Sequence, residues 1–202
     1  FAQYPFSLIS RLDFSLLVNH LERDPINNSD TAITSTIFQP SIGYSYDNII
    51  WGITGPVNGT RAQVTLDITP PFDFIVNPYI SLDIDIRHYL HIMKRFVWAN
   101  RLFTGISFPI SDSPSDKRYF LGGNDNWLFY DLNRNEYYRN IAYTIHSEFV
   151  TPLRGHKYLD ITGTRTVLLN TEFRFPFIRD ISLAWPLPLR IQYVNGAFFF
   201  DA

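Results

Sequence analysis

The sequence predicts an all-β protein, a transmembrane antiparallel β-barrel to which this chain contributes about seven strands. Three observations lead to this fold class. Apolar and polar residues alternate with a period of two over segments of roughly 9–14 residues, which is near the length of a tilted membrane strand. Aromatic residues make up 17% of the 202 residues and charged residues only 18%, against about 25% charged residues in soluble domains. No apolar run approaches the roughly 18 residues that a membrane helix requires.

The first three predicted strands cover residues 7–21, 37–51 and 59–70. Their apolar faces are formed, in turn, by Leu12, Phe14, Leu16 and Val18, by Ile42, Tyr44 and Tyr46, and by Ala62, Val64, Leu66 and Ile68. Their opposite faces carry polar and charged residues, among them Arg11, Asp13, Arg61 and Asp67. Because Asn-Gly favours tight hairpin turns, a turn is predicted at 55–60, between the second and third strands.

The fourth and fifth predicted strands, 79–92 and 95–108, alternate most clearly. In the fourth strand, one face has Ile80, Leu82, Ile84, Ile86 and Leu90, and the other has Ser81, Asp83, Asp85 and Arg87. In the fifth strand, Leu102, Thr104, Ile106 and Phe108 oppose Arg101, Phe103, Gly105 and Ser107. Polar faces with both charge signs suit the interior of a barrel, where neighbouring strands pair opposite charges. Met93-Lys94 is predicted as a tight periplasmic turn between them.

The last two predicted strands, 166–178 and 188–202, follow a long connection at 109–165. A connection of this length is uncommon in a compact domain and is usually functional or disordered. Its segment 126–140 is a candidate short helix. Aromatic residues at the ends of several apolar faces, such as Trp98, Phe173 and Phe175, are typical of the aromatic girdles of membrane barrels.

A soluble β-sandwich would also alternate, with its polar faces toward water. The long strands favour the membrane barrel, because soluble strands usually have about 5–6 residues. The charged polar faces favour it as well. The sandwich, acting as a soluble binding module, stays open as the alternative.

Three separated motifs carry a family resemblance: Thr151-Pro-Leu-Arg-Gly-His156, Leu169-Asn-Thr-Glu-Phe-Arg-Phe-Pro176 and Phe198-Phe-Phe-Asp201. Together they resemble the signature of the bacterial surface antigen superfamily, the outer-membrane barrels of the BamA and TamA type. The resemblance implies that Arg154 and Gly155 form the tip of an inward-folded loop, which meets Glu172 and Asp201 on the wall. An arginine away from bulk water needs carboxylate partners, and its planar fork can hold two.

The family has sixteen strands, and this chain resembles strands seven to thirteen. Residues 1–202 are therefore expected to form part of a barrel domain, with the inward-folding loop 109–165 carrying the Arg-Gly motif. The remaining motif residues implied by the resemblance are Leu153, His156, Gly122 and Gly123 in the loop, and Arg174, Phe175 and Pro176 in the strand that resembles strand twelve. The family usually has Phe or Tyr at the position of His156. The spacing between Gly123 and Arg154 is more similar to the subgroup whose barrel follows a TolB-like propeller.

The resemblance implies a protein of the Gram-negative outer membrane that inserts, translocates or secretes proteins or lipids. The alternative function is a passive barrel that anchors or exports an attached propeller or lipase-like domain. Strand edges that face lipid without partners are costly, so we expect the remaining strands of the same polypeptide to pair with this segment. The other expected partners are outer-membrane lipid, N-terminal periplasmic domains of the same polypeptide, and client or accessory outer-membrane proteins.

Several other functions are not expected. The net charge of −2 gives no indication of nucleic-acid binding, and the absence of cysteine excludes a Cys-based zinc site. His88 and His91 point to opposite faces of a strand, so they are poor metal ligands. Glu172 and Asp201 are poor candidates for hydrolysis because an arginine partner would keep both ionised. We therefore expect no enzymatic activity, no metal and no cofactor.

Overall fold

The computed structural model describes residues 1–23, 33–72, 78–110, 117–123, 147–150 and 152–202. The strands are β1 (Ala2–Pro5), β2 (Ser10–Arg23), β3 (Ile33–Asp47), β4 (Ile50–Gly52), β5 (Gly55–Thr69), β6 (Tyr79–Met93), β7 (Phe96–Pro109), β8 (Tyr119–Leu121), β9 (Glu148–Val150), β10 (Ile161–Gly163), β11 (Arg165–Leu183) and β12 (Leu189–Asp201). Within these ranges, no helix is long and apolar enough to cross a membrane. The candidate helix at 126–140 lies outside the described residues.

Most of the strands form one large antiparallel sheet. Its order is β1-β2-β3-β5-β6-β7-β11-β12, and β4 pairs with β5. The seven long strands β2, β3, β5, β6, β7, β11 and β12 correspond to the seven predicted strands. They confirm the all-β, antiparallel fold class. Strands β1 and β12 are the two edges of this sheet.

The two faces of the large sheet differ in polarity, as the alternation predicts. The outer face carries Leu82, Ile86 and Leu102, which are 37–39% exposed although they are apolar. The inner face carries polar residues such as Ser81 and is covered by chain that lies between β7 and β11. A soluble sandwich would require a second sheet against the apolar face, and none of the described residues forms one there.

Part of the long connection folds onto the inner face as a small three-stranded sheet. Strand β8 lies between β10, which is antiparallel to it, and β9, which is parallel. Its buried contacts with the wall form a small core of Phe103, Tyr119, Leu121, Val150, Leu153 and Leu168. The ring of Tyr119 occupies the space that a side chain on Gly105 would fill, since a Cβ there would lie 2.6 Å from its Cζ atom. The glycine thus permits the loop to reach the wall.

The predicted turn at 55–60 is wrong. The chain turns at Ile53 and Thr54, and residues 55–60 belong to β5. Asn58-Gly59 lies beside an irregularity in the pairing of β4 with β5, where Gly59 has a φ of 104°. Asn-Gly supplies a positive φ, which a β-bulge requires as well as a turn does. The predicted tight turn next to Met93 is present, because β6 ends at Met93 and β7 begins at Phe96.

The hairpin of β11 and β12 is longer than predicted. Strand β11 has 19 residues and continues to Leu183. Its pairing with β7 ends at Arg174, opposite Val97, so the rest of β11 pairs only with β12. This end of the hairpin extends past its neighbours at the edge of the sheet where the tight turns lie.

Candidate functional site

The candidate site is the contact between the Arg-Gly tip of the loop and the inner face of β11 and β12. The tip is a tight turn in which the N–H of His156 donates to the carbonyl of Leu153, and Gly155 has a φ of 89°. A positive φ is unfavourable for most side chains, which explains glycine at this position.

Gly122 and Gly123 form backbone hydrogen bonds with the residues on both sides of this tip. The N–H of Leu153 donates to the carbonyl of Gly122 at 3.0 Å, and the N–H of Gly123 donates to the carbonyl of His156 at 3.2 Å. A Cβ on Gly123 would lie 2.6 Å from the carbonyl oxygen of His156. Only glycine lets the two backbones approach this closely.

The guanidinium of Arg154 contacts both wall carboxylates. Its Nε and Nη2 atoms donate to the two oxygens of Asp201 at 2.7 and 2.8 Å, and Nη1 donates to Glu172 at 2.6 Å. The backbone N–H of Arg154 also donates to Asp201, at 2.9 Å. The ring of Phe199 lies 4.0 Å from the guanidinium carbon, in a cation–π contact. One arginine thus bridges two strands.

Strand periodicity positions the wall residues. Asn170, Glu172 and Arg174 are every second residue of β11, so their side chains share its inner face. Asn170 lies opposite Asp201 in β12. Asn170 donates to Asp201 at 2.8 Å and to the carbonyl of Pro152 at 2.7 Å, which ties the loop to both strands. Arg174 donates to Glu172 at 2.9 Å, so the two arginines and two carboxylates balance in charge.

The site buries Asp201 and partly shields the other two charges from bulk water. The Asp201 side chain is 2% exposed, and those of Glu172 and Arg154 are 21% and 27% exposed. Hydrogen bonds to Asp201 and then to Glu172 outweigh partial burial and hold the pKa of Arg154 above its usual range. The arrangement is suited to holding a loop in place, because every charged group is already engaged by an opposite charge.

The other motif residues do not all join this network. Leu153 is buried in the core beneath the loop. His156 is exposed and contacts Asp160, with 3.0 Å between Nδ1 and Oδ2, and does not reach the wall carboxylates. Phe175 stacks on Phe198 with ring centres 5.2 Å apart. Pro176 lies opposite Asn195, next to the bulge in the hairpin.

A second charged cluster, around Lys117, was not identified from the sequence. The ammonium contacts Asp67 at 3.1 Å, Glu148 at 2.8 Å, and Asp83. The Lys117 side chain is only 8% exposed, and the hydroxyl of Tyr119 donates to Asp83. The sequence indicated only that Asp67 and Asp83 occupy inward positions of neighbouring strands.

Burial and charge oppose each other in the Lys117 cluster. Burial favours the neutral amine, but Glu148, Asp83 and Asp67 outweigh it and hold the pKa of Lys117 above its usual range. Burial also raises the pKa of Glu148, with a further contribution from Asp83, although Lys117 opposes this shift. One ammonium faces three carboxylates, so the cluster carries an excess of negative charge.

Comparison with known protein families gives one result for this chain. The model of the Omp85 superfamily domain matches residues 2–202. No curated protein matches the chain.

Proposed function

The chain belongs to the Omp85 superfamily of outer-membrane β-barrel proteins, and from that premise we propose that it forms part of a barrel that inserts, translocates or secretes proteins or lipids at the Gram-negative outer membrane. The contact of Arg154 with Asp201 and Glu172 is the observation that supports this proposal most directly. It joins the loop to the wall at the positions that the BamA and TamA type of barrel implies.

In the proposed arrangement, residues 1–202 are one segment of the wall, and the loop 109–165 folds into the barrel. The apolar outer face contacts lipid, and the polar inner face lines the lumen. The loop is held at two levels, by Arg154 on β11 and β12 and by Lys117 on β5 and β6. Two separate ionic contacts fix the orientation of the loop better than one contact would.

We further propose that other strands of the same polypeptide pair with β1 and β12. Their outer edges carry backbone N–H and C=O groups with no strand partner in the described sheet. In lipid, each unsatisfied backbone group costs several kcal/mol, so a membrane sheet must close on itself. Periplasmic domains that receive clients, and accessory outer-membrane proteins, are the remaining partners in this proposal.

Members of this superfamily are transporters and insertases, and we propose no bond chemistry for this chain. The inner-face carboxylates Asp201, Glu172 and Asp85 each accept hydrogen bonds from arginine, which suits a structural role. A passive barrel that anchors or exports an attached propeller or lipase-like domain is the second candidate. The spacing between Gly123 and Arg154, similar to that of the propeller-linked subgroup, favours it.

Depletion of the protein followed by quantitative proteomics of outer-membrane and periplasmic fractions tests the proposed function. We expect a defined set of barrel or exported proteins to leave the outer membrane and accumulate in the periplasm. The wild-type gene should restore them, and a gene carrying Arg154→Ala should restore them less well. An unchanged proteome would contradict the transport function and support the passive anchor.

A further inference from the structure

A row of polar side chains crosses the largely apolar outer face. Thr60, His88, Asn100 and Thr171 lie opposite one another on β5, β6, β7 and β11. We call these four residues the polar row. All four are half-buried. The row lies toward the edge of the sheet where the tight turns are. The neighbouring rows of outward side chains lie two residues away along each strand.

The rows on either side of the polar row are apolar. On the side of the long loop, the next row consists of Ala62, Ile86, Leu102 and Leu169. On the side of the tight turns, the next row consists of Leu90, Trp98, Phe173 and Phe198. A band of aliphatic rows followed by an aromatic row is typical of the boundary between hydrocarbon and headgroups. The polar row therefore lies at this boundary.

Hydrogen bonding within the row leaves two side-chain nitrogens at outward positions without a partner among the described residues. The indole N–H of Trp98 can only donate, and it donates to the hydroxyl of Thr171 at 2.7 Å. That hydroxyl then donates to Oδ1 of Asn100 at 2.8 Å. The amide nitrogen of Asn100 has no hydrogen-bond partner among the described residues. The same holds for Nε2 of His88. Nδ1 of this ring pairs with the hydroxyl of Thr60 at 2.8 Å, and Nε2 is a donor in the tautomer in which Nδ1 accepts from that hydroxyl.

An apolar groove of about 550 Å³ adjoins the polar row. It is lined by Trp98, Phe173, Phe198 and Phe200, with Ile92 at one side, and it shares Thr171 with the row. Side-chain nitrogens without a partner and an aromatic groove therefore lie next to each other on the same face.

We propose that this surface binds one phospholipid molecule of the periplasmic leaflet. The Asn100 amide and the His88 ring donate to its ester or phosphate oxygens, and an acyl chain lies in the groove between Trp98, Phe173 and Phe198. This inference rests on the proposed outer-membrane location and on the tight turns facing the periplasm. It adds a specific lipid site to that location.

Phospholipid fits this surface better than a second protein does. The amide nitrogen of Asn100 is a donor, and Nε2 of His88 is one when Nδ1 accepts from Thr60. The glycerol and phosphate region of a phospholipid offers many acceptors to these groups. The outward positions of β6 and β7 carry no acidic side chain that would repel a phosphate. In lipid, a polar group without a partner is costly, and the phospholipid supplies the partner where the hydrocarbon begins.

Native mass spectrometry of the protein extracted from outer membranes tests this site. The delipidated protein is incubated with palmitoyl-oleoyl phosphatidylethanolamine, and the fraction that retains one lipid is measured. A double variant, His88→Leu with Asn100→Leu, removes both groups that are proposed to donate to the lipid, and we expect about tenfold weaker retention. Thr104→Val is the matched control, because Thr104 lies on the same face, two rows away, and its retention should equal that of the wild type.

Two outcomes would overturn the lipid site: no retained lipid on the wild type, or equal retention in the double variant. A second protein copy bound at this face in place of lipid would overturn it as well. Heat-modifiable migration of the same samples separates the two proposals. A folded outer-membrane protein without retained lipid contradicts only the lipid site, whereas absence from the outer-membrane fraction contradicts the proposed function.

Discussion

At the scale of single residues, the loop contact depends on the shape of arginine as well as its charge. Three guanidinium nitrogens of Arg154 and its backbone N–H all donate to carboxylates of two different strands. A lysine would place one point charge where the arginine places a planar fork. The contact is therefore selective for where the loop lies.

Arg154→Ala would leave Asp201 nearly buried without its main partner. We expect a loss of about 2–3 kcal/mol of unfolding free energy, below the roughly 3–5 kcal/mol of fully buried pairs because Arg154 is partly exposed. The measurement is the urea dependence of the heat-resistant band on a gel. Arg154→Lys should give an intermediate loss.

Arg190→Ala is the matched control for this change. Arg190 forms a similar pair with Asp180, at 2.6 Å, but both side chains are well exposed on the extended hairpin. Exposed pairs contribute little, so this variant should unfold like the wild type. Equal losses in the two alanine variants would show that Arg154 has no special structural role.

Gly105→Ala tests whether the loop needs close contact with the wall. The added methyl group would overlap the ring of Tyr119, and we expect a loss of about 1–3 kcal/mol from overpacking. Gly43→Ala is the control, because its nearest neighbours would be 3.5 Å away, an ordinary contact distance. The temperature at which half of the protein loses its folded migration on a gel measures the stability of both variants. A Gly105→Ala protein as stable as Gly43→Ala would mean that Tyr119 does not pack there.

Contacts between residues far apart in the sequence could be predicted only where a known motif marks both partners. Arg154 and its carboxylate partners were identified through motifs that a known family shares, since 47 residues separate Arg154 from Asp201. Lys117 lies 50 residues from Asp67, and no such motif marks this pair. Local periodicity placed both aspartates on the inner face, but it contains no information about which distant lysine arrives there.

At the scale of elements, alternation predicted the long strands because each has one face toward a polar interior and one apolar face. The same reasoning failed for the short strands. Strand β8 is buried throughout, so it does not alternate, and β4 has three residues, too few for a pattern. The predicted strand ended at residue 178, five residues short of Leu183, because the bulge between Pro176 and Ile178 interrupts the alternation of the side chains.

The small sheet β8–β10 should respond to pH through Glu148. Its folded-state pKa is raised above the usual 4.5, so the folded loop binds a proton more tightly than the unfolded loop does. The contribution to stability is complete below pH 4.5 and is lost as pH rises through the raised pKa. The hydrogen-exchange protection of residues 117–121, corrected for the intrinsic pH dependence of exchange, should therefore be higher at pH 5 than at pH 8.

Glu148→Gln should remove this pH dependence, because an amide cannot take up the proton. The exchange rates of residues 166–170 in β11, once corrected for intrinsic pH effects, serve as the internal reference. Corrected protection of the loop that does not change between pH 5 and pH 8 in the wild type would contradict the raised pKa.

At the scale of the whole molecule, the account requires a sheet with its apolar face toward lipid. The outer face of β6 exposes Leu82, Ile86 and Leu90, whereas its inner face carries Ser81, Asp83 and Asp85 beneath the loop. A soluble protein with this arrangement would expose a large apolar surface, which soluble monomers rarely do. Membership of the Omp85 superfamily and the polarity of the two faces therefore support the same conclusion.

Spin labels along β6 test this central claim most directly, and the absence of cysteine from the chain simplifies labelling. Single cysteines at positions 80–87 would be labelled in the protein reconstituted into liposomes, and collision with oxygen and with a water-soluble nickel complex would be measured. We predict a period of two, with high oxygen and low nickel accessibility at Ile80, Leu82, Ile84 and Ile86. High nickel accessibility at these four positions, or no alternation, would contradict a lipid-facing barrel wall.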